Sequence, residues 1–442
     1  MSGLRSTSAA LVLTAAIGAP AVADTRVDPS LVISGSAGYS RNPYLEVGGA
    51  RGSGYTQVDI TPQVALTDER NQVLAAARYS RTDYFRGIGS TNGYGVTVSG
   101  TRTFSPRLTG SVGVGFDSQV LGAVNNFALT PLLPTGVLSS VSPTTATGST
   151  PTTSGAASGA ASGSTPPVVT VNPITPVIPV VDVVGGDLGL VGRRQRRDLL
   201  TANVGFNYRP NPTDSWTFGA DVARARYPGS GVFSGYRSYG AQIGYRRPLS
   251  ERSSIGLAVS GSIVTYDAGG TVRSVSPQLL YSTLLSERWS LDLSAGAALV
   301  SGDGTRSRVT ASGSAALCRR GERSRLCVTI LQSPATTGLG TLRSQTSVGV
   351  SYSNQITRRT NIGLTASYLR VPGGLVQLSN GVTSSLREQS FLNAEGRVDH
   401  ELSRQLFAFG AVGVRRATGL TGGIPTDVYG RVGLTLRLAR RP

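Results

Sequence analysis

The stretch SQTSVGVSYSNQITRRTNIGLTASYLRV, Ser344 to Val371, decides how this chain folds. In each half an apolar residue alternates with glycine, serine, threonine or asparagine. The apolar set is Val348, Val350, Tyr352, Ile362, Leu364, Ala366 and Tyr368. Alternation with a period of two sends one set of side chains to each face of a sheet, so the stretch predicts a β-hairpin with one apolar and one polar face. A soluble sandwich can use such a hairpin, whereas the wall of a barrel in lipid requires it.

The same pattern recurs along the whole chain. We predict about eighteen antiparallel strands, with sixteen as the alternative, and most are about 10–14 residues long, which is enough to cross a bilayer at a tilt. The predicted strands are 31–41, 55–66, 72–83, 93–104, 107–118, 198–209, 214–227, 235–247, 252–266, 271–283, 288–301, 306–318, 325–333, 343–354, 358–371, 386–398, 404–416 and 427–438. No apolar run approaches the roughly 20 residues that a membrane-spanning helix needs.

The connections between these strands fall into two alternating classes. Short, charged turns lie at 67–70, 105–106, 211–214, 248–252, 286–288, 357–359 and 401–404. Longer, glycine-rich loops lie at 42–54, 84–92, 228–234, 334–342, 372–385 and 417–426. Outer-membrane barrels have short periplasmic turns and long extracellular loops. The alternation therefore predicts one all-β transmembrane barrel over residues 24–442, with both ends of the barrel chain in the periplasm.

One connection, residues 119–197, is much longer than the others. Its part from Ser139 to Pro167 is a low-complexity sequence of serine, threonine, glycine, alanine and proline, which is unable to bury a core. The alternation of the loops places it outside the cell. Two arrangements stay open: a loop on the cell surface, or a loop that folds into the lumen as a constriction.

The first 23 residues predict export from the cytoplasm. Arg5 gives a positive start, residues 9–17 form a short apolar segment, and Ala21-Val22-Ala23 is a small-residue cleavage site before Asp24. These are the three parts of a cleaved secretory signal peptide.

The basic residues indicate an anionic partner. The net charge is +18 and lysine is absent, so all 42 basic residues are arginine. A GC-rich genome, which favours arginine codons, explains the missing lysine as well as an anionic partner does. It does not explain why basic residues outnumber acidic ones. The partners open to such a protein are nucleic acid, lipopolysaccharide phosphate, and an anionic solute or polymer. Because the protein is predicted to leave the cytoplasm, nucleic acid is the least favoured of these partners.

With these features together, the sequence resembles a Gram-negative outer-membrane β-barrel over residues 31–438. The resemblance implies a location in the outer membrane, contact with its lipid and lipopolysaccharide, and insertion by the barrel assembly machinery. An eighteen-stranded barrel with an arginine-lined lumen is also similar in architecture to exopolysaccharide exporters of the alginate-exporter kind. That likeness implies passage of an acidic polysaccharide and periplasmic export components as partners.

Strand parity predicts which arginines face the lumen. An arginine on the lipid face at mid-bilayer would cost about 2–4 kcal/mol, so we place arginines opposite the apolar set of each strand. The predicted lumenal, anion-contacting arginines are Arg209, Arg246, Arg308, Arg387, Arg397, Arg431 and Arg437. Glu395 and Asp221 are the clearest lumenal acids. Either these arginines make the pore anion-selective, or they pair with scattered acids and only fill a water-lined barrel.

Other arginines and the aromatic residues lie near strand ends. Arg102, Arg224 and Arg226 break the parity, and we expect them to meet lipid phosphates at the headgroup level. We expect aromatic girdles at the two membrane interfaces. The girdle residues are Tyr208, Trp216, Phe218, Tyr239, Tyr245, Tyr281, Trp289, Tyr352 and Tyr368.

The remaining reactive side chains predict a disulfide and no catalysis. Cys318 and Cys327 flank a short turn, so they are near enough to pair in the oxidising periplasm if the register of the hairpin allows it. A histidine-dependent mechanism would have to use His400, which we expect in a solvated periplasmic turn. We therefore expect no enzyme, no cofactor and no metal.

Two functions follow. The first is a passive channel for the passage or export of anionic solutes, either an acidic exopolysaccharide or small anions. The second is a non-transporting surface anchor or adhesin that displays residues 119–197.

Overall fold

The computed structural model describes residues 25–48, 51–85, 87–121, 194–229, 233–302, 305–336, 342–377, 383–419 and 423–439. Residues 1–24, which include the predicted signal peptide, and residues 122–193 lie outside these ranges. Within them, no helix is long and apolar enough to cross a membrane.

Eighteen strands form one antiparallel sheet that closes on itself, which confirms the predicted eighteen-stranded barrel over the alternative of sixteen. Successive strands pair, and β1 also pairs with β20 from Ser30–Ala439 to Ser40–Tyr429. The strands of the barrel are β1 (Arg26–Ser40), β2 (Ser53–Thr67), β3 (Asn71–Tyr84), β4 (Gly89–Ser105), β5 (Leu108–Leu121), β6 (Gln195–Tyr208), β7 (Ser215–Arg226), β8 (Tyr236–Pro248), β9 (Ser253–Tyr266), β10 (Thr271–Leu284), β11 (Trp289–Gly302), β12 (Thr305–Arg320), β13 (Ser324–Thr336), β14 (Leu342–Gln355), β15 (Thr360–Val371), β18 (Gln389–Glu401), β19 (Leu406–Thr418) and β20 (Thr426–Ala439). A separate hairpin joins β16 (Gly374–Gln377) to β17 (Thr383–Leu386).

The hairpin of Ser344 to Val371 is the pair β14–β15. Its register sets Val348 opposite Tyr368 and Tyr352 opposite Leu364, so the apolar side chains lie together on one face. Leu364 and Tyr368 are exposed, because this face points away from the barrel axis.

The outward face of the barrel carries a band of exposed apolar side chains. The most exposed apolar side chains include Val412, Val432 and Leu257, which are 68%, 67% and 60% exposed. Apolar side chains gain nothing from facing water, and they match the outward band of a barrel in lipid. The closed sheet and this band make the protein a transmembrane β-barrel of the outer-membrane kind.

Most strand boundaries differ from the predicted ones by one to five residues, and the differences at β5, β6 and β18 change predicted connections. β5 continues to Leu121 and β6 begins at Gln195, so the ends of the segment 119–197 are strand. Gln119 pairs with Arg197 across these ends, and this ladder extends past the point where the composition changes. The predicted strand 386–398 begins three residues later, at Gln389, because β17 uses residues up to Leu386 for its own hairpin.

The short turns share one local mechanism. A serine or aspartate accepts backbone N–H groups two and three residues further on, as Asp68 does from Arg70 and Asn71 and Ser250 from Arg252 and Ser253. Such side chains mimic a backbone turn. The hydrogen bonds of the Asn71 side chain and of the two N–H groups hold the pKa of the Asp68 carboxyl below its usual value.

Candidate functional site: the inner face of the barrel

Six of the seven predicted arginines stand on the inner-face positions of their strands. The outward neighbours identify these positions: Arg431 adjoins Val432, and Arg308 adjoins Val309, which is 66% exposed. The six are Arg209, Arg246, Arg308, Arg397, Arg431 and Arg437. Arg387 is exposed in the two-residue link between β17 and β18. Its predicted place in the wall is therefore corrected, because β18 begins only at Gln389.

Arg397 and Arg431 are paired with acids. The Arg397 guanidinium makes a bidentate contact with Asp399, with Nη2–Oδ1 at 2.7 Å. Nη2 of Arg431 lies 3.1 Å from both carboxylate oxygens of Glu395, and Tyr429 also donates to Glu395 at 2.8 Å. A paired guanidinium presents little free charge to a solute.

Two further ion pairs on the inner face were missed from the sequence. Arg415 Nη2 lies 2.7 Å from Asp427 Oδ2, and the two side chains are 1% and 0% exposed. Arg78 Nη2 lies 2.8 Å from Asp117 Oδ2. The same parity rule would have placed all four residues, since each alternates with outward apolar neighbours.

The inner face holds more acid than predicted. Asp221 and Glu395 stand there as expected, and they are joined by Asp59, Asp117, Asp292, Asp399 and Asp427. In the sector formed by β18, β19, β20 and β1–β5, four ion pairs join inner-face arginines to inner-face acids. The alternative that lumenal arginines pair with acids therefore holds for this sector.

The opposite sector, β6–β14, carries buried inner-face arginines without a carboxylate partner. Arg246 on β8 is 6% exposed and Arg197 on β6 is 1% exposed. Nε and Nη1 of both guanidiniums lack a hydrogen-bond partner, and none of the ion pairs between described residues includes either one. Arg343 on β14 donates to the carbonyl oxygen of Pro372 instead of to an acid. A buried cation without a counter-ion is costly, so the arginines of this sector differ energetically from those held in ion pairs.

Hydroxyl groups line the wall between these arginines. Ser262 and Ser274 are hydrogen-bonded at 2.8 Å, as are Ser294 and Ser314. Gln278 Nε2 donates to Ser312 Oγ at 2.7 Å. This bond spans from β10 to β12 because the intervening position on β11 is a glycine, Gly296, which leaves the inner face open.

The connection between β1 and β2 folds inward at the long-loop end of the barrel. We call residues 41–48 the inward loop. Leu45, 1% exposed, packs against the inner-face cluster of Leu369, Val371, Phe391 and Ala417 on β15, β18 and β19. On its other side, Tyr44 packs against Tyr84 of β3, with ring centroids 5.7 Å apart. The inward loop therefore crosses the inner wall from β15 to β3 and narrows the lumen.

The inward loop is held by polar contacts. Asp427 Oδ1 accepts the hydroxyl of Ser40 and the backbone N–H of Asn42, each at 2.8 Å. Asn42 in turn bonds both the N–H and the carbonyl of Glu46. The Arg194 guanidinium lies 4.2 Å from the centroid of the Tyr44 ring and 3.2 Å from Glu46. The sequence signal was a pair of large apolar residues, Tyr44-Leu45, within a glycine-rich loop.

A second connection narrows the opposite side of the same end. Tyr227 and Phe233 stand in the connection between β7 and β8, and they pack with Tyr236 and Tyr266 on the inner wall of β8 and β9. The long-loop end of the lumen is thus lined by apolar side chains where these two connections turn inward.

The aromatic side chains divide between the two faces. All nine predicted girdle residues stand at outward positions, and Tyr208, Trp216 and Tyr245 form one row across β6, β7 and β8 at the short-turn end. Two other rings, Phe407 and Phe409, stand on the inner face of β19. Arg437 lies 4.6 Å from the Phe407 centroid, and Arg397 lies 4.3 Å from that of Phe409.

The cysteines and the histidine lie near the short-turn end. Cys318 stands opposite Cys327 on the inner face, with Cα atoms 4.1 Å apart, and the structure joins them as a disulfide. Nδ1 of His400 lies 3.0 Å from the hydroxyl of Thr360 at the end of the neighbouring strand. This contact belongs to the end of the β15–β18 ladder.

Comparisons with known proteins find similarity to this chain only at the level of the fold. No protein-family model and no curated protein sequence matches it. Among solved structures, OccK2 (OpdF) of Pseudomonas aeruginosa is 12% identical, with 93% of this chain and 98% of that chain covered and a TM-score of 0.43. The siderophore receptor PirA of Pseudomonas aeruginosa is 10% identical, with coverages of 93% and 80% and a TM-score of 0.37. A bacterial polysaccharide outer membrane secretin is 10% identical, with coverages of 93% and 98% and a TM-score of 0.33.

Proposed function

We propose that this barrel is an outer-membrane channel for anionic solutes, with an acidic polysaccharide among the candidates. The observation that supports it best is the uneven charge of the inner face. The sector from β18 through β1 to β5 has ion pairs, whereas Arg197, Arg246 and Arg343 on β6–β14 have no carboxylate partner. An anion moving along β6–β14 meets hydroxyl groups and guanidiniums that are not held in ion pairs, and both suit carboxylate, phosphate and sugar hydroxyl oxygens.

The size of the barrel fits this proposal. Barrels of sixteen to eighteen strands leave an aqueous channel. Here the inward loop narrows one end, so the opening is smaller than the strand count alone would give. This arrangement admits solutes in extended form more readily than globular ones.

The test is the ion selectivity of the purified protein in planar lipid bilayers. We expect the reversal potential under a salt gradient to show preference for anions, and Arg246→Gln to reduce that preference because it removes an unpaired charge. The matched control is Arg397→Gln with Asp399→Asn, which removes a paired charge and its partner and leaves the net charge unchanged. Equal effects of the two changes would contradict the proposal.

The anchor function is a distinct outcome of the same experiment. If the barrel inserts into the bilayer but gives no conductance, the channel proposal is contradicted. Deletion of residues 140–190 with loss of surface adhesion would then support the anchor. For an acidic polysaccharide, block of the conductance by an oligouronate added on the short-turn side, but not by a neutral oligosaccharide of equal length, is the expected result.

A further inference from the structure

Two arginines face each other on the outer surface of the barrel. Arg224 on β7 is the direct partner of Arg237 on β8. The next outward pair along the same strands is Val222 with Tyr239, which are 43% and 51% exposed. Side chains opposite one another in an antiparallel sheet have Cβ atoms about 4.5–5.5 Å apart, and like charges in that position repel. The pair therefore needs an anion.

The chain itself does not supply that anion. None of the ion pairs between described residues includes Arg224 or Arg237, and Nε of Arg224 is buried without a hydrogen-bond partner. The nearest acid to Arg237 by register is Asp267, two residues after its partner Thr265 and just past the end of β9, and it is in none of the ion pairs between described residues. The nearest acid to Arg224 is Asp198, which lies opposite Arg226. Its carboxylate accepts the hydroxyl of Ser118 at 2.6 Å. The counter-ion must therefore come from the surroundings of the barrel.

The level of the pair on the wall identifies those surroundings. On β8 the outward residues run from Arg237 through Tyr239 and Tyr245 to Arg247. Ten residues at about 3.3 Å each, tilted by about 40°, correspond to a height of about 25 Å, which is the height of the apolar band of such barrels. Arg237 and Arg224 therefore lie at the upper edge of the lipid-facing band, at the long-loop end that faces the exterior in this class.

Other arginines extend the pair into a cluster. The outer arginine cluster consists of Arg196, Arg224, Arg226, Arg237 and Arg273, all on the outward face of β6–β10. Arg196 is held in place by Ser118 at 2.8 Å and by Asn92, with its guanidinium 5.8 Å from the Tyr94 ring. Such a cluster offers several guanidinium forks near the long-loop end of the outward face.

We propose that the outer arginine cluster binds a phosphorylated glycolipid of the outer leaflet, with a phosphate between Arg224 and Arg237. A phosphate accepts bidentate hydrogen bonds from guanidinium groups and neutralises both charges at once. The acyl chains of the same molecule cover Val222 and Tyr239 below the cluster. This binding site lies on the opposite face of the wall from the lumen, so it goes beyond the proposed channel function.

The test compares two double variants of the full-length barrel in detergent. One is Arg224→Gln with Arg237→Gln. The control is Arg81→Gln with Arg247→Gln, which removes the same amount of charge from the outward face. Arg81 is paired with Asp83, and Arg247 lies at the short-turn end of β8, away from the outer arginine cluster. The probes are lipopolysaccharide that carries phosphorylated lipid A, the same glycolipid after removal of its phosphates, and inorganic phosphate. Heat-dependent gel mobility checks that each variant is a folded barrel.

We expect the first variant to bind phosphorylated glycolipid at least tenfold more weakly than the wild type, and the control variant to bind it within threefold. We expect the wild type to bind the dephosphorylated glycolipid as weakly as the first variant binds the phosphorylated glycolipid. Unchanged binding by the first variant, or equal loss in both variants, would overturn the site. Inorganic phosphate binding as tightly as the glycolipid would show a free-anion site and would overturn the lipid partner.

Discussion

Asp427 contributes both to the stability of the barrel and to the position of the inward loop. Its carboxylate accepts hydrogen bonds from Arg415, from the hydroxyl of Ser40 and from the backbone N–H of Asn42. The Arg415 side chain is 1% exposed and that of Asp427 is 0% exposed. The change Asp427→Asn therefore leaves a guanidinium buried without its counter-ion and loosens the start of the inward loop.

The expected size of the effect follows from burial. Removing one partner of a buried ion pair costs about 3–5 kcal/mol, because the remaining charge stays desolvated. The matched control is Asp399→Asn on β18, whose partner Arg397 is 36% exposed. Solvent screens that pair, so its loss costs about 0.2–1 kcal/mol. The free energy of unfolding should thus separate two chemically identical substitutions by about 2–4 kcal/mol.

The assay is urea unfolding of the barrel in lipid vesicles, followed by tryptophan fluorescence, together with single-channel conductance. We expect Asp427→Asn to lower the free energy of unfolding by the larger amount and to raise the conductance, since an amide oxygen holds Ser40 and Asn42 of the loop more weakly than a carboxylate oxygen does. In the double variant Arg415→Met with Asp427→Asn, stability should recover in part because no uncompensated charge remains. Equal destabilisation by Asp427→Asn and Asp399→Asn would refute the reasoning.

Two further predictions concern the wall itself. An added Cβ at Gly433 would clash with the backbone carbonyl oxygen of Gly35 and would lie 2.7 Å from two ring carbons of Phe409, whereas at Gly430 the nearest atom is 3.8 Å away. Gly433→Ala should therefore cost about 1–3 kcal/mol in urea unfolding and Gly430→Ala almost nothing. Equal costs would count against this packing. Cys318 and Cys327 close a short loop with a sequence separation of 9, so Cys318→Ser should lower the free energy of unfolding by about 2–3 kcal/mol. Thiol counting of the denatured, unreduced wild-type protein should find no free thiol. Two free thiols would contradict the bond.

The strands were predictable from the sequence because their signals are local. Val350 and Leu364 show the outward face of their hairpin within a few residues, and Asp68 marks its turn by hydrogen bonds to neighbouring N–H groups. Each signal needs only the chain around it. The number of strands, their closure and the outward apolar face are therefore confirmed almost element by element.

The charge pairs and the inward loop were not predictable in the same way. Arg415 meets Asp427 only because β19 and β20 are adjacent with one particular register. Leu45 finds its partners on β15, β18 and β19, which are far away in the sequence and come close only when the barrel closes. Parity tells which face a side chain takes, but the stagger between strands decides what it meets there.

This difference changes how the arginines of the lumen should be interpreted. Counting basic residues on the inner face treats Arg431 and Arg246 alike, yet Arg431 is neutralised by Glu395 and Arg246 has no carboxylate partner. A neutralised pair contributes mainly to holding neighbouring strands, whereas an unpaired guanidinium keeps its field available for a solute. The inward loop is anchored beside the paired sector, through Asp427, and leaves the hydroxyl-lined wall of β9–β12 outside its contacts. For the proposed anion channel, the most favourable path therefore runs along β6–β14, past Arg246 and Arg343, and not along the sector where most of the inner-face acids lie.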